Sequence, residues 1–159
     1  MTNNNYKNWK IDQDNDGIVW LHLDKPDSQA NVLSQDVLHE LRDILSDLEK
    51  QPPRGVVFIS DKDSGFIAGA DIKEFPLIKT EEQAREALNL GHSICNSIEN
   101  LPCPTVAAIH GFCLGGGMEL ALACRYRIAD RDPKCKMGLP EVKLGIHPGF
   151  GGTVRMIRQ

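Results

Sequence analysis

Apolar residues recur at helical spacing in two long stretches of the chain and form short continuous runs between them. Val37, Leu38, Leu41, Ile44, Leu45 and Leu48 follow one another at three- and four-residue intervals behind Ser34. That stripe predicts an amphipathic helix with Ser34 as its N-cap, ended before Pro52-Pro53. A second stripe, Ala84, Ala87, Leu88, Gly91, Ile94, Cys95 and Ile98, runs from the capping box Thr80-Glu81-Glu82-Gln83 to the stop at Leu101-Pro102-Cys103-Pro104. Gly55 to Ser60 and Thr105 to His110 are short apolar runs of the kind buried on both faces of a sheet. Gly17 to Leu23 is rich in β-formers and Tyr126 to Asp130 reads as a further strand.

Strands and helices therefore alternate, which predicts an α/β fold wound by right-handed crossovers around parallel strands. Phe66 to Lys73 is too small-residued at its centre for a regular element and reads as a loop where something approaches the backbone. A helix is expected over Met118 to Cys124, behind the glycines 115–117. Gly149 to Gln159 looks like a loop entering a helix, so the chain reads as the front part of a domain. With 159 residues, 41% of them hydrophobic, one core is expected and not two.

Composition narrows the function classes. A formal net charge of −4 gives no general attraction to nucleic acid or anionic membrane. The five cysteines, at 95, 103, 113, 124 and 135, contain no C-x-x-C pair and suggest buried small residues in a reducing compartment, not a disulfide framework or a zinc site. Met1 to Lys7 shows neither an apolar leader core nor an arginine-rich amphipathic pattern, and no long apolar run follows, so a cytoplasmic protein is expected.

Chemistry concentrates where an apolar strand meets His110-Gly111 and then Gly115-Gly116-Gly117-Met118-Glu119. Glycines at a helix start expose N–H groups to a ligand's negative charge, and Glu119 stands within a turn of them. Backbone donors can hold charge developing on a carbonyl oxygen, and a carboxylate beside them can move a proton. Read alone, the same residues also fit a tight packing loop and a solvated first-turn glutamate. Glu141, in Gly138-Leu139-Pro140-Glu141, likewise fits a surface glutamate, and Asp71 an N-cap for a helix from Ile72. A dinucleotide fingerprint, G-x-G-x-x-G, is absent at Gly111–Gly117 and at Gly149–Gly152, as is a G-x-x-x-x-G-K-[ST] phosphate loop.

Three motifs in register carry a resemblance. Ala68-Gly69-Ala70-Asp71-Ile72-Lys73-Glu74, His110-Gly111 through Gly115-Gly116-Gly117-Met118-Glu119-Leu120-Ala121, and Gly138-Leu139-Pro140-Glu141-Val142-Lys143-Leu144-Gly145 with Pro148 to Gly152 resemble the crotonase (enoyl-CoA hydratase/isomerase) superfamily. The likeness runs from about Gly17 to the end. Within it, Gly138 to Arg155 and Asp130-Arg131-Asp132-Pro133-Lys134 look most like the N-terminal domain of multifunctional fatty-acid oxidation α-subunits.

The resemblance implies a crotonase-like (ClpP/crotonase) superhelix of repeated ββα units, with residues 1–159 the N-terminal part of one hydratase/isomerase domain that stops before its C-terminal helices. It implies enoyl-CoA hydration, with Δ3-Δ2 isomerisation by the same groups. In this reading the N–H groups of Ala70 and Gly116 form the oxyanion hole, Glu119 activates water and Glu141 delivers a proton to C2. Lys25, Ala30, Ala68, Gly69, Ala70, Asp71, Ile72, Lys73, Gly115 and Gly116 become substrate or CoA contacts. No cofactor is expected in this chain, NAD belonging to a dehydrogenase region outside it. The implied partners are an acyl-CoA substrate and, in the intact protein, a second copy or a thiolase subunit. A second expectation is an acyl-CoA-binding fragment without turnover.

Overall fold

The computed structural model describes residues 6–158. Met1 to Asn5, most of the segment read above for a leader, lie outside the described residues, as does Gln159. The elements are β1 (Trp9–Gln13), β2 (Ile18–Leu23), α1 (Gln35–Lys50), β3 (Gly55–Ser60), β4 (Gly65–Ile67), α2 (Glu81–Asn100), β5 (Thr105–Ile109), β6 (Phe112–Leu114), α3 (Gly116–Ala123), β7 (Tyr126–Ala129), β8 (Lys136–Gly138) and α4 (Gly152–Arg158). Two 3-10 turns, Phe75–Leu77 and Glu141–Leu144, interrupt the loops.

The strands form two sheets, one of five strands in the order β1-β2-β3-β5-β7 and one of three in the order β4-β6-β8. Every pairing is parallel except β1 with β2. The repeat is visible in that order: β3-β4-α2, β5-β6-α3 and β7-β8-α4 each give one strand to the large sheet, one to the small sheet, and then a helix. The first unit is abbreviated, with Leu33 bridging in parallel to Ala70 in place of a short strand before α1. The α/β superhelix of ββα units expected from the motifs is the observed architecture.

Most of each predicted stripe is buried, except that Leu48, Ala84 and Ala87 are half-buried and Leu88 is exposed. Val37, Leu38, Leu41, Ile44 and Leu45 of α1 and Ile94, Cys95 and Ile98 of α2 are buried, together with Leu21, Leu23, Val56 and Phe58 of the large sheet. The Thr80 capping box forms, its hydroxyl accepting from the Gln83 N–H at 3.2 Å while the Gln83 side chain accepts from the Thr80 N–H at 3.3 Å. Ser34 sits at the N-cap of α1 but its side chain caps nothing; its hydroxyl donates to Asp36 and accepts from Lys25 Nζ at 2.8 Å.

Five elements depart from the sequence reading. β1 was not expected: its alternation is short, and Trp9 secures it by packing edge-on against Phe58 at 6.5 Å and donating from Nε1 to the Val37 carbonyl at 3.0 Å. β4 occupies the first residues of the predicted loop, and β6 and β8 each have three residues, too few for periodicity to register. α3 starts at Gly116, two residues before the expected Met118, because Gly117 must lie flat on β4. A Cβ there would stand 2.6 Å from Ile67 Cβ.

Cys95, Cys103, Cys113 and Cys124 are buried and free, and Cys135 is half-buried. Burial pushes the thiols of Cys95 and Cys113 up to about 12, which keeps them unreactive. Among the described residues no helix is long and apolar enough to cross a membrane.

Candidate active site

The small sheet delivers two loops to one place. β4 runs into Ala68-Gly69-Ala70, which pairs with the strand-like segment around Leu33: Ala68 N–H donates to the Asn31 carbonyl at 2.8 Å, Leu33 N–H to Gly69 at 2.8 Å, and Asp71 N–H to Leu33 at 3.2 Å. In parallel pairing successive N–H groups point to opposite sides. The N–H of Ala70 thus points away from its partner strand and donates to nothing among the described residues.

β6 ends one strand further along, where Gly115 donates to the Gly138 carbonyl at 2.9 Å and turns with φ +52° into α3. That left-handed turn suits glycine, since it removes the clash an L side chain would make. Gly116 is then the first residue of α3, and its N–H, one of the orphan donors of a helix start, also has no acceptor among the described residues. The two loops touch, with Gly69 Cα 3.6 Å from where a Cβ on Gly115 would stand.

One turn along α3, Glu119 is buried to 1% exposure, not solvated. Its Oε1 accepts from the backbone N–H of Phe150 and of Gly152, both at 2.8 Å, while Oε2 makes no hydrogen bond among the described residues. Burial pushes its pKa above the usual carboxylate value and the nearby Glu141 charge adds to this; the two N–H groups and His92 pull the other way. Glu141 opens the second 3-10 turn, which Gly145 closes in the left-handed conformation at φ +70°. It too is buried, at 9% exposure, and its Oε2 is enclosed without a hydrogen-bond partner among the described residues. Both alternatives read from the sequence, a solvated Glu119 and a surface Glu141, are therefore overturned by residues that pack over them from distant segments.

Ala68, Gly69, Ala70, Asp71, Ile72, Gly115, Gly116, Glu119 and Glu141 all line one cavity of about 870 Å³. The rest of its wall is largely apolar, with Leu33, Leu38, Phe75, Ile78, Ala87, Leu88 and Phe150. Lys25, Ala30 and Lys73 do not line it. Lys25 Nζ is bound to Ser34 and lies 3.4 Å from Asp36, and the Ala30 carbonyl accepts from Ser28. Asp71 caps no α-helix; its Oδ1 accepts from the Lys73 N–H at 3.2 Å and its carbonyl from Glu74, closing a turn. His110 is tied by Nε2 to the Lys62 carbonyl at 2.8 Å.

Sequence reasoning missed the groups that hold Glu119. Phe150 and Gly152 were visible only as a glycine-rich loop, and a backbone donor leaves no residue-type signal that would link it to a carboxylate more than thirty positions earlier.

The profile of the enoyl-CoA hydratase/isomerase family matches residues 13–159. The chain belongs to this family. It is 42% identical over 153 residues to the fatty acid oxidation complex subunit alpha of Shewanella halifaxensis, and 44% identical over 148 residues to that of Aliivibrio fischeri. These alignments cover 96% and 92% of this chain but 22% of each relative, so the chain spans about a fifth of their length. Solved family structures share the fold. An enoyl-CoA hydratase from Bacillus anthracis superposes with a TM-score of 0.83 at 38% identity, over 95% of this chain and 57% of that one. One from Geobacillus kaustophilus gives 0.88 at 28% identity, over 99% and 58%.

Proposed function

We propose that this domain adds water across the double bond of 2-trans-enoyl-CoA thioesters, as one step of fatty-acid β-oxidation. The observation that carries the reading is the meeting of two unused backbone donors, Ala70 and Gly116, with two buried carboxylates, Glu119 and Glu141, in one apolar cavity. The thioester oxygen accepts from both N–H groups. Each such donor is worth about 3 kcal/mol when negative charge builds on the oxygen. Polarised in this way, the thioester makes C3 electrophilic. Glu119 Oε2 takes a proton from the water that attacks C3, and Glu141 gives a proton to C2. Both carboxylates are on the walls of the same cavity, which suits delivery of water and proton to one face of the alkene.

The same pair also serves double-bond migration, a proton leaving C4 and another arriving at C2. Ala68 to Lys73, with Lys25 and Ala30, are the residues we assign to the CoA portion. The 42–44% likeness to fatty acid oxidation α subunits supports a place for this domain in a larger subunit that carries a 3-hydroxyacyl-CoA dehydrogenase and works beside a thiolase. A cytoplasmic location agrees with that assignment.

The test is hydration of crotonyl-CoA, followed as loss of enoyl thioester absorbance, alongside titration with a non-reactive acyl-CoA. Introducing Glu119→Gln and Glu141→Gln together is expected to abolish hydration and keep acyl-CoA binding; hydration at the unaltered rate would refute the mechanism. Binding without hydration by the unaltered chain would favour an acyl-CoA-binding fragment.

A further inference from the structure

Arg155 does not line the cavity, yet one of its polar contacts reaches the segment that holds Glu119 and the others tie that segment to α2. Its side chain, on α4, is 8% exposed. Nη1–H donates to the Phe150 carbonyl at 2.7 Å. Nε–H and Nη2–H reach Glu99 Oε2 at 3.1 and 3.0 Å, and Nη2–H also donates to Asn96 Oδ1 at 2.7 Å. Asn96 and Glu99 belong to α2, so one guanidinium ties the turn before α4 to a helix from an earlier repeat.

The opposite side of that turn faces Glu119. The Phe150 carbonyl is held by Arg155, while the Phe150 N–H, with that of Gly152, points at Glu119 Oε1. A second anchor supports the first: the Phe150 ring lies over Gly91 of α2, where a Cβ would stand 2.1 Å from it, and against Gly116. Neither contact alone fixes the backbone at residue 150; the arginine holds the carbonyl of the peptide after it and the ring holds its side chain, so that the N–H before it keeps its direction.

We propose that Arg155 is a positioning residue for hydration, which aligns the Phe150–Gly152 N–H groups on Glu119 Oε1 and so leaves Oε2 as the atom that handles the proton. The proposal rests on the hydration reading for the role of Glu119. Other charged or titratable groups also face that carboxylate: Glu141 from the 3-10 turn and His92 and Cys95 from α2. Arg155 is paired with Glu99, so its influence runs through the backbone donors and not through a bare charge.

The experiment compares Arg155→Met and Arg155→Lys with the unaltered protein in crotonyl-CoA hydration across pH, and follows Glu119 ionisation by carbon NMR of labelled glutamate. Displacing a reacting group by about an ångström costs on the order of 100-fold in rate, so Arg155→Met is expected to lower kcat by roughly that factor. KM is expected to stay within about twofold, since the substrate-contacting groups are untouched. Glu119 is expected to hold its proton to higher pH, because loosened N–H groups no longer favour the carboxylate, and the acid limb of kcat moves with it. An unchanged kcat, or an unchanged Glu119 titration in a folded variant, would show that Arg155 serves stability only. If Arg155→Met does not fold, Arg155→Lys carries the same measurements, because it keeps the buried charge but cannot reach Phe150, Asn96 and Glu99 together. Full hydration by Glu119→Gln would overturn the hydration reading instead, and the NMR titration would still decide whether Arg155 acts on Glu119.

Discussion

Glu119 and Glu141 share one cavity but are held in opposite ways. Glu119 stands on a regular helix, and one of its oxygens is committed to two N–H groups that lie 31 and 33 residues ahead in the chain. Glu141 stands on a single 3-10 turn, with an enclosed oxygen that no group among the described residues satisfies. An unsatisfied buried polar atom is unfavourable unless something else meets it, which agrees with the proposed role of Glu141 as the carboxyl that faces substrate. The difference teaches how one cavity could divide the two tasks proposed above: a carboxylate with one oxygen fixed would act from the other, while one without fixed partners would exchange its proton with the substrate.

Separate substitutions test that contrast most strongly. Glu119→Gln is expected to reduce hydration by about 10³-fold or more, and Glu141→Gln by a loss within the same general acid–base range. The sharper contrast is in folding, because the Gln side-chain oxygen at 119 can still accept from Phe150 and Gly152, so its thermal midpoint at neutral pH should not fall. A marked loss of stability in Glu119→Gln would mean that the charge, and not the hydrogen-bond geometry, holds this region.

Gly152→Ala addresses the Glu119 side through sterics. A Cβ there would stand 2.7 Å from Glu119 Cγ, and overpacking of this kind costs about 1–3 kcal/mol. Chemical denaturation should show that loss, with hydration falling beyond what the unfolded fraction explains. On the Glu141 side, Gly115→Ala would strain a residue at φ +52° and bring its Cβ to 3.2 Å from Glu141 Oε1, so it should weaken acyl-CoA binding as well.

The pH dependence of stability is a smaller effect with a definite sign. Glu119 has a folded pKa raised above 4.5, so the native state binds its proton more tightly than the unfolded chain does. Below 4.5 both states are protonated and nothing is lost; as pH rises from there through the folded pKa, the unfolded state ionises first and native stability falls. Urea midpoints of the unaltered protein should therefore drop relative to those of Glu119→Gln over that window, then run parallel. A rise with pH in the same comparison would contradict the burial of Glu119. The smallest expected change lies away from both carboxylates: Thr80→Ala removes half of the α2 capping box and should lower stability by about 1 kcal/mol in thermal unfolding.

The large periodic elements were legible in the sequence because they obey one repeat over many residues. α1 buries five of its six stripe residues, with Leu48 half-buried, and α2 buries the second half of its stripe, from Gly91 to Ile98, while Leu88 is exposed at the cavity wall. The capping box forms at Thr80, and β3 and β5 coincide with the two short apolar runs. The three-residue strands of the small sheet were not legible, since Phe112–Leu114 and Lys136–Gly138 are shorter than any period that could identify them. Of the site, the glycines and Glu119 stood out by residue type and spacing, while Ala70 and the role of Glu141 entered through the motif resemblance. Phe150, Gly152 and Arg155 did not, because their contribution is made by backbone atoms and by a side chain behind the wall.

The long helices and the longer strands, most of the faces they bury and the residue types that supply donors and carboxylates follow from the sequence alone, because helix and strand periods and glycine's missing side chain are local properties. Which donors stay unused, which oxygen of Glu119 is committed and which oxygen of Glu141 is left enclosed were decided only in three dimensions. Each depends on segments tens of residues apart being folded onto the same small sheet, and a hydrogen bond, or the lack of one, exists only once both groups have left water together.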